Sequence, residues 1–277
     1  MAFRIPHNVE AANVHRWLSN AQFNLNRSLE RLASGYRINR AADDAAGLAI
    51  ANNFRQQISS LKMAYNNASQ ATSMIQVAEG STNRISDILN RLKELATEAA
   101  SDTVDDTRRT YLHNEAYTLL QEIDRIASTT KYAGQALFTV AASGSVSFTF
   151  QVGYENNDHN RISLTIDALS SASLGINSIR LDNLSSAQSA LENIDNASTS
   201  LSNVQANLGK TQNRLQYTQQ NLQVQIENFT ASESTIRDVD MAAEMAEFTK
   251  NQILVQTSMA MLAQANSLPQ NIIQLLR

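Results

Sequence analysis

The residue types that usually carry chemistry are few in this 277-residue chain, and they are scattered along it. Cysteine is absent, which removes thiolate nucleophiles, disulfides and thiolate metal sites. None of the spacings typical of metal sites relates the four histidines, which are His7, His15, His113 and His159. The sequence also has no Gly-rich phosphate loop and no nucleophile motif. It therefore predicts neither an enzyme nor a bound cofactor.

Paired carboxylates are the next candidates, because general acid–base chemistry often uses two of them. They occur here as Asp105 with Asp106 and as Asp238 with Asp240. Each pair stands where a helix is predicted to begin. Carboxylates at such positions accept hydrogen bonds from free backbone N–H groups and face the positive end of the helix dipole. Helix capping is the favoured interpretation, also for Asp43 and Asp44.

Composition and charge exclude further classes of function. A net charge of −4 provides no broadly basic face, so nucleic-acid binding is not expected. No segment approaches the roughly 20 consecutive apolar residues that a membrane-spanning helix needs. The first eight residues contain no apolar core of a signal peptide, so no cleaved secretory signal is predicted.

Long helices are the main structural prediction. The two prolines, Pro6 and Pro269, leave the interval between them free of the strongest helix breaker. Between Leu48 and Ala99, apolar residues recur at steps of three or four, which places them on one helix face. The predicted fold class is mainly α, a long antiparallel helical bundle or coiled coil with a small β-hairpin region.

A heptad stripe is the clearest periodic feature of the second half. Large apolar residues recur at intervals of seven, at Ile194, Leu201, Leu208, Leu215, Leu222 and Phe229. We call these six positions the heptad stripe. Such a repeat is typical of a helix that packs along a partner helix, and the Leu48–Ala99 face is the predicted partner. The alternative is an ordinary amphipathic helix in a bundle, whose apolar stripe would differ from that of a coiled coil only in degree.

The region 138–179 has a different pattern of apolar and polar residues. Val146, Phe148 and Phe150 alternate with polar residues, and a second alternating run follows at Ile162, Leu164 and Ile166. Alternation with a period of two on both sides of a polar, Gly-containing turn predicts a β-hairpin. We expect the hairpin to be a small exposed elaboration on a helical stem.

The carboxyl-terminal segment is amphipathic without charge. No charged residue occurs between Lys250 and Arg277, but glutamines and asparagines interrupt the apolar residues throughout. Chain ends usually fray unless they dock to something. Pairing of the two ends, followed by burial against other copies, is therefore predicted, with Leu268, Ile272 and Leu275 among the apolar anchors.

Two long segments resemble the terminal signatures of bacterial flagellins. They are SLERLASGYRINRAADDAAGLAIA at residues 28–51 and the segment from Gln252 to Arg277, which contains MLAQANSLPQ. The likeness covers residues 20–138 and 185–277. Residues 1–17 depart from the family pattern, with Pro6, His7, His15 and Trp17 where small polar and aliphatic residues are usual.

The resemblance implies an architecture and a function. Residues 1–43 with 235–277 would form an inner-tube terminal coiled coil, and residues 44–234, including the hairpin region, an outer-tube helical domain. The chain would be a structural subunit that assembles into the extracellular flagellar filament and enables swimming. It would leave the cell unfolded through the flagellar type III export apparatus.

Partners also follow from the resemblance. They are other copies of the same chain, the export machinery with its chaperone, and the filament cap and hook–filament junction proteins. In many flagellins a patch like that of Arg91, Leu95 and Glu115 is recognised by Toll-like receptor 5. Packing between subunits is an alternative role for this patch. Amides of the carboxyl-terminal segment would line the export channel or simply keep the helix soluble; they are Gln256, Gln264, Gln270 and Gln274.

Two other classes of function compete with a filament subunit. A hook–filament junction protein shares similar ends but is present in few copies, and the detailed match of both signatures favours the main subunit. A coiled-coil adhesin or effector would interact through the heptad stripe. It would leave the paired terminal signatures unexplained.

Overall fold

The computed structural model describes residues 8–139 and 144–275, with side chains as far as Ser267. Side chains of Leu268, Gln270, Ile272, Gln274 and Leu275 lie outside the described part. The elements in order are helices α1 (Val9–Ser34), α2 (Ala45–Ala99) and α3 (Asp106–Thr129), strands β1 (Lys131–Tyr132), β2 (Gln135–Ala136), β3 (Ser145–Gln151) and β4 (Arg161–Asp167), and helices α4 (Leu184–Arg237) and α5 (Met241–Leu275). The predicted mainly α fold class is confirmed.

The predicted helix caps are present. Asp44, Asp105 and Asp240 each accept a hydrogen bond from a backbone N–H in the first turn of the following helix, over 2.7–2.9 Å. These bonds satisfy N–H groups that have no partner inside the helix. One carboxylate at each of these three sites therefore caps a helix. The capping prediction for Asp43 is wrong, because its carboxylate accepts from Asn39 N and Arg40 N in the connector before α2.

The chain divides into two compact units. One contains the two ends of the chain, up to Gln57 and from Asn228, and the other, the middle unit, runs from Ile58 to Glu227. The unit boundaries fall inside α2 and α4, because each of these long helices contributes to both units.

Within the middle unit, α2 and α4 are antiparallel. Lys93 Nζ lies 2.5 Å from Asp195 Oδ1, and Gln205 Nε2 donates to Asn83 Oδ1 over 3.1 Å. Moving forward along one helix thus means moving backward along the other. Their facing apolar residues, including Ile75, Ile85, Leu201 and Leu208, belong to one buried core.

Helix α3 packs antiparallel to the end of α2. Arg91 pairs with Glu115 over 2.8 Å, and Arg108 pairs with Glu98 over 2.6 Å. The apolar side of α3, which includes Ile123, joins the same core. Three helical segments therefore surround the core of the middle unit.

Strands β3 and β4 form the predicted hairpin, with Val146 opposite Ile166 and Phe150 opposite Ile162. The prediction that it is an exposed elaboration is wrong. Ile162, Leu164 and Ile166 are almost fully buried in the core of the middle unit. Alternating residues of β4 all face one side of the sheet, so this face closes the core while the polar face meets solvent.

The short hairpin of β1 and β2 was not predicted. Its two-residue loop, Ala133 and Gly134, has φ values of 51° and 85°. Two successive positive φ values are typical of the type I′ turn that matches the twist of paired strands. Only two residues in each strand are paired, which is too few for a recognisable alternation.

Arg109, a buried charged residue on α3, links the start of α3 to the end of α2. Its guanidinium donates to the carbonyls of Ala99 and Ser101 over 3.0 and 2.9 Å, and it pairs with Asp106 over 2.8 Å. Ala99 is the last residue of α2, so its carbonyl has no partner inside the helix, whereas Ser101 lies in the following turn and its carbonyl also accepts from Val104 N. The side chain therefore acts as a C-cap for α2.

Replacing Arg109 with methionine is expected to lower the free energy of unfolding by about 2 kcal/mol, because the carbonyl of Ala99 loses its donor and that of Ser101 loses one of its two donors. Urea denaturation followed by circular dichroism measures the change. The control is Arg108→Met, which breaks an exposed ion pair and should cost at most about 0.5 kcal/mol. Equal losses in the two variants would contradict a capping role for Arg109.

Candidate assembly surfaces

Helices α1 and α5 form an antiparallel pair that joins the two ends of the chain. Asn8, the N-cap of α1, donates through Nδ2 to the carbonyl oxygen of Ala265 over 2.8 Å. At the other end of α1, Arg31 pairs with Glu244 over 3.4 Å. The predicted pairing of the ends is thus present within one subunit.

The two helices leave large apolar side chains uncovered. On α1, Trp17 is 70% exposed and Phe23 is 67% exposed, and Val9 and Leu29 are also exposed. On α5, the exposed large apolar residues are Met241, Met245, Ile253, Leu254, Met259 and Met261. Single exposed apolar residues are ordinary, but a concentration on two paired helices indicates a surface that another protein covers.

The connector between α1 and α2 is fastened to the connector between α4 and α5. Arg37 N donates to the carbonyl oxygen of Arg237 over 2.7 Å, and Val239 N donates to that of Gly35 over 3.1 Å. The guanidinium of Arg237 also lies 4.2 Å from the ring centre of Tyr36, a cation–π contact. We call this joint the connector clamp.

Gly35 and Asp43 determine the path of the α1–α2 connector. Gly35 adopts a φ of 75° as the C-cap of α1, a conformation that favours glycine. Partial desolvation of Asp43 opposes its ionisation, but hydrogen bonds from the N–H groups of Arg40 and Asn39 and the charge of Arg27 outweigh that effect. The pKa of Asp43 is therefore below its ordinary value.

Sequence reasoning missed the connector clamp. Its partners are about 200 residues apart in the sequence, and no periodic pattern relates them. The only local signal is the concentration of charged residues around the flagellin-like segment at residues 28–51.

The predicted heptad stripe lies within the subunit. The first five members, from Ile194 to Leu222, are buried in the described structure. The sixth, Phe229, is half-buried, and its ring centre lies 5.7 Å from that of Phe54. These side chains therefore pack inside one chain, and their effect on assembly remains a prediction.

The candidate receptor patch is divided between surface and core. Arg91 and Glu115 are exposed and paired with each other. Leu95, by contrast, is 1% exposed and belongs to the core. Its inclusion in a receptor-facing surface is wrong for the folded subunit, because its side chain points at the other helices of the middle unit.

The two candidate channel residues with described side chains, Gln256 and Gln264, are both exposed on α5. Residues 8–139 and 144–275 contain no group of three or more His, Asp or Glu side chains able to hold a metal ion. None of the described helices is long and apolar enough to cross a membrane.

Long paired helices, a closed core and uncovered apolar ends define a structural protein that associates with other chains. Comparison with known families is specific on this point. Residues 5–142 match the bacterial flagellin N-terminal helical region, and residues 191–276 match the bacterial flagellin C-terminal helical region.

Curated relatives match along the whole chain. It is 42% identical to a flagellin of Halalkalibacterium halodurans over 276 residues, covering 99% of each chain. It is 39% identical to a flagellar filament 33 kDa core protein of Treponema phagedenis, again covering 99% of each. A crystal structure of Bacillus cereus flagellin aligns with a TM-score of 0.47 at 26% identity, covering 57% of this chain and 88% of that one.

The chain belongs to the bacterial flagellin family. It is a structural protein of the extracellular flagellar filament and not an enzyme.

Proposed function

We propose that the α1–α5 pair is the element through which subunits join in the filament, each copy covering the apolar side chains that its neighbour exposes. The observation that carries this proposal is the exposure of Trp17 and Phe23 on α1, together with Ile253 and Met261 on α5. The two helices already use one side of each for their mutual contact. Their remaining sides are free for other copies.

The energies favour a surface that uses both helices. Burying one large apolar side chain contributes about 1.5–3 kcal/mol, whereas association costs about 4–15 kcal/mol in lost freedom of motion. A single contact would not overcome that cost. The four large exposed apolar residues of α1 and the six of α5 would together contribute about 15–30 kcal/mol if fully buried, which exceeds most or all of that range, whereas the four on α1 alone would not.

The division of the chain into an inner-tube part (1–43 with 235–277) and an outer-tube part (44–234) belongs to this proposal. The helix breaks support it, since α1 ends at Ser34, α2 begins at Ala45, and α4 ends at Arg237. The connector clamp would then hold the two connecting segments together at the transition. The exposed amides of Gln256 and Gln264 would line the inner channel, with Gln270 and Gln274 further along α5.

Export and the further partners follow from the family. We infer passage of the unfolded chain through the flagellar type III apparatus with an export chaperone, then contact with the filament cap and hook–filament junction proteins. A chain without cysteine can be held unfolded without forming disulfides. The exposed pair of Arg91 and Glu115 is the part of the candidate patch that Toll-like receptor 5 could contact.

Replacing Phe23 with aspartate tests the proposed joining surface. The side chain is exposed in the free subunit, so we expect an unchanged melting temperature and a critical concentration for assembly raised by at least about tenfold. Sedimentation of seeded subunits at a series of concentrations measures this.

The matched control is Asn24→Asp, which adds the same charge at the next exposed position without removing an apolar side chain. It should assemble at nearly the wild-type concentration. Normal assembly of the Phe23 variant would contradict a joining role for α1. Equal impairment of both variants would point to charge rather than to apolar burial.

A further inference from the structure

Methionine is concentrated on α5. Four of the seven methionines of the chain lie there, at Met241, Met245, Met259 and Met261. Their exposed fractions are 49–54%, whereas Met74, in the core of the middle unit, is 5% exposed. A soluble reagent can therefore reach the α5 thioethers in the free subunit but is largely excluded from Met74.

Three of these methionines share one side of the helix. At 100° per residue, Met241, Met245 and Met259 lie within about 40° of one another around the axis, and Met261 lies on the opposite flank. The side that contacts α1 carries the buried Asn251 and Ala265. The three-methionine face is therefore separate from the α1 contact, and no charged group lies between Met245 and Met259 on that side.

Oxidation would change this face without breaking the chain. A hydroperoxide transfers one oxygen atom to a methionine thioether: its O–O bond breaks, a sulfur–oxygen bond forms, and the peroxide is reduced to water or an alcohol. The sulfur loses two electrons and the product is a polar sulfoxide. An apolar contact surface thus becomes one whose burial removes hydrogen-bonded water from a strong acceptor.

We propose that Met241, Met245 and Met259 are a peroxide-sensitive modification site that controls addition of subunits. In the free subunit these residues are oxidised and the subunit no longer joins a filament, whereas in the filament a neighbouring copy shields them. This inference rests on the proposed function, since it requires the face to be covered on assembly. Oxidation of the exposed methionines does not itself depend on the proposed joining of subunits.

The test treats full-length unassembled subunits with hydrogen peroxide, removes the peroxide, and measures the critical concentration by sedimentation. Mass spectrometry locates the sulfoxides. We expect sulfoxide at all three residues, little at Met74, and a critical concentration raised by about tenfold or more. Filaments treated in the same way should carry less sulfoxide at the three residues than free subunits do.

A triple variant, M241L/M245L/M259L, separates this site from other damage, because leucine keeps the apolar volume but is not oxidised. Peroxide should leave its critical concentration unchanged. Two results would overturn the proposal: an equal peroxide effect on the triple variant, or normal assembly of wild-type subunits that carry all three sulfoxides.

A second triple variant, M241Q/M245Q/M259Q, distinguishes failure of this inference from failure of the proposed function. Without peroxide, it should assemble poorly if the face is covered in the filament. Wild-type assembly of this variant would mean that the face is not an interface, which counts against the proposed function. Impaired assembly of the variant together with peroxide-insensitive wild type would defeat the modification site alone.

Discussion

Replacing Leu215 with aspartate is expected to lower the free energy of unfolding of the middle unit by about 4 kcal/mol or more. Leu215 is fully buried between α4 and the rest of the core, so the variant loses apolar burial and places a carboxylate without a partner inside it. Losses of unfolding free energy of this size are typical of such core defects. Urea denaturation monitored by circular dichroism gives the value.

The matched control for this prediction is Gln216→Asp. Gln216 is the next residue on the same helix and is exposed, so the new charge meets solvent and the change should be within about 0.5 kcal/mol. Comparable destabilisation at both positions would mean that α4 tolerates charge poorly everywhere. The heptad stripe would then have no special role in the core.

Removing residues 268–277 is expected to raise the critical concentration for assembly by roughly a hundredfold or more. The segment carries Leu268, Ile272, Leu275 and Leu276, and full burial of each would contribute about 1.5–3 kcal/mol. Each 1.4 kcal/mol lost from a subunit contact weakens that contact tenfold, and every added subunit repeats the loss. Seeded elongation of purified protein, followed by light scattering, measures the effect independently of export.

Asn271→Gln is the control for the truncation, because it keeps the length of the chain and the polar character at that position. It should elongate filaments like the wild type. A truncated chain that also elongated normally would show that the carboxyl-terminal segment supplies no part of the joining surface.

Most of the helical fold is predictable from this sequence because its signals are local or periodic. A repeat of seven places Ile194 and Leu215 on one side of α4, and that side is buried. Asp44 and Asp105 precede apolar periodic segments, and both cap helices. The terminal signatures predicted the family.

Features that depend on the packing of distant segments were not predictable. Alternation in β4 correctly predicts a strand, but a period of two cannot tell whether the apolar face of a hairpin meets a core or solvent. Ile162 and Leu164 meet the core, so deleting the hairpin would expose apolar side chains of the middle unit. The expectation of an exposed elaboration is wrong for that reason.

Leu95 illustrates a conflict between two kinds of sequence argument. Helical periodicity placed it in the apolar series that runs to Ala99, which predicts burial. The family resemblance placed it in a surface patch with Arg91. Leu95 is buried in the structure, because a leucine at a core-facing position of α2 is stabilised more by packing than by exposure to solvent.

The most direct test of the proposed joining surface is the fluorescence of Trp17, the only tryptophan of the chain. Its side chain is 70% exposed in the free subunit, on the α1 surface that neighbouring copies would cover. Emission spectra and acrylamide quenching are recorded before and after seeded assembly, with sedimentation confirming the polymer. The proposed surface predicts a shift to shorter wavelength and clearly reduced quenching in the filament. Unchanged emission and quenching in a sample that sediments as filament would contradict it.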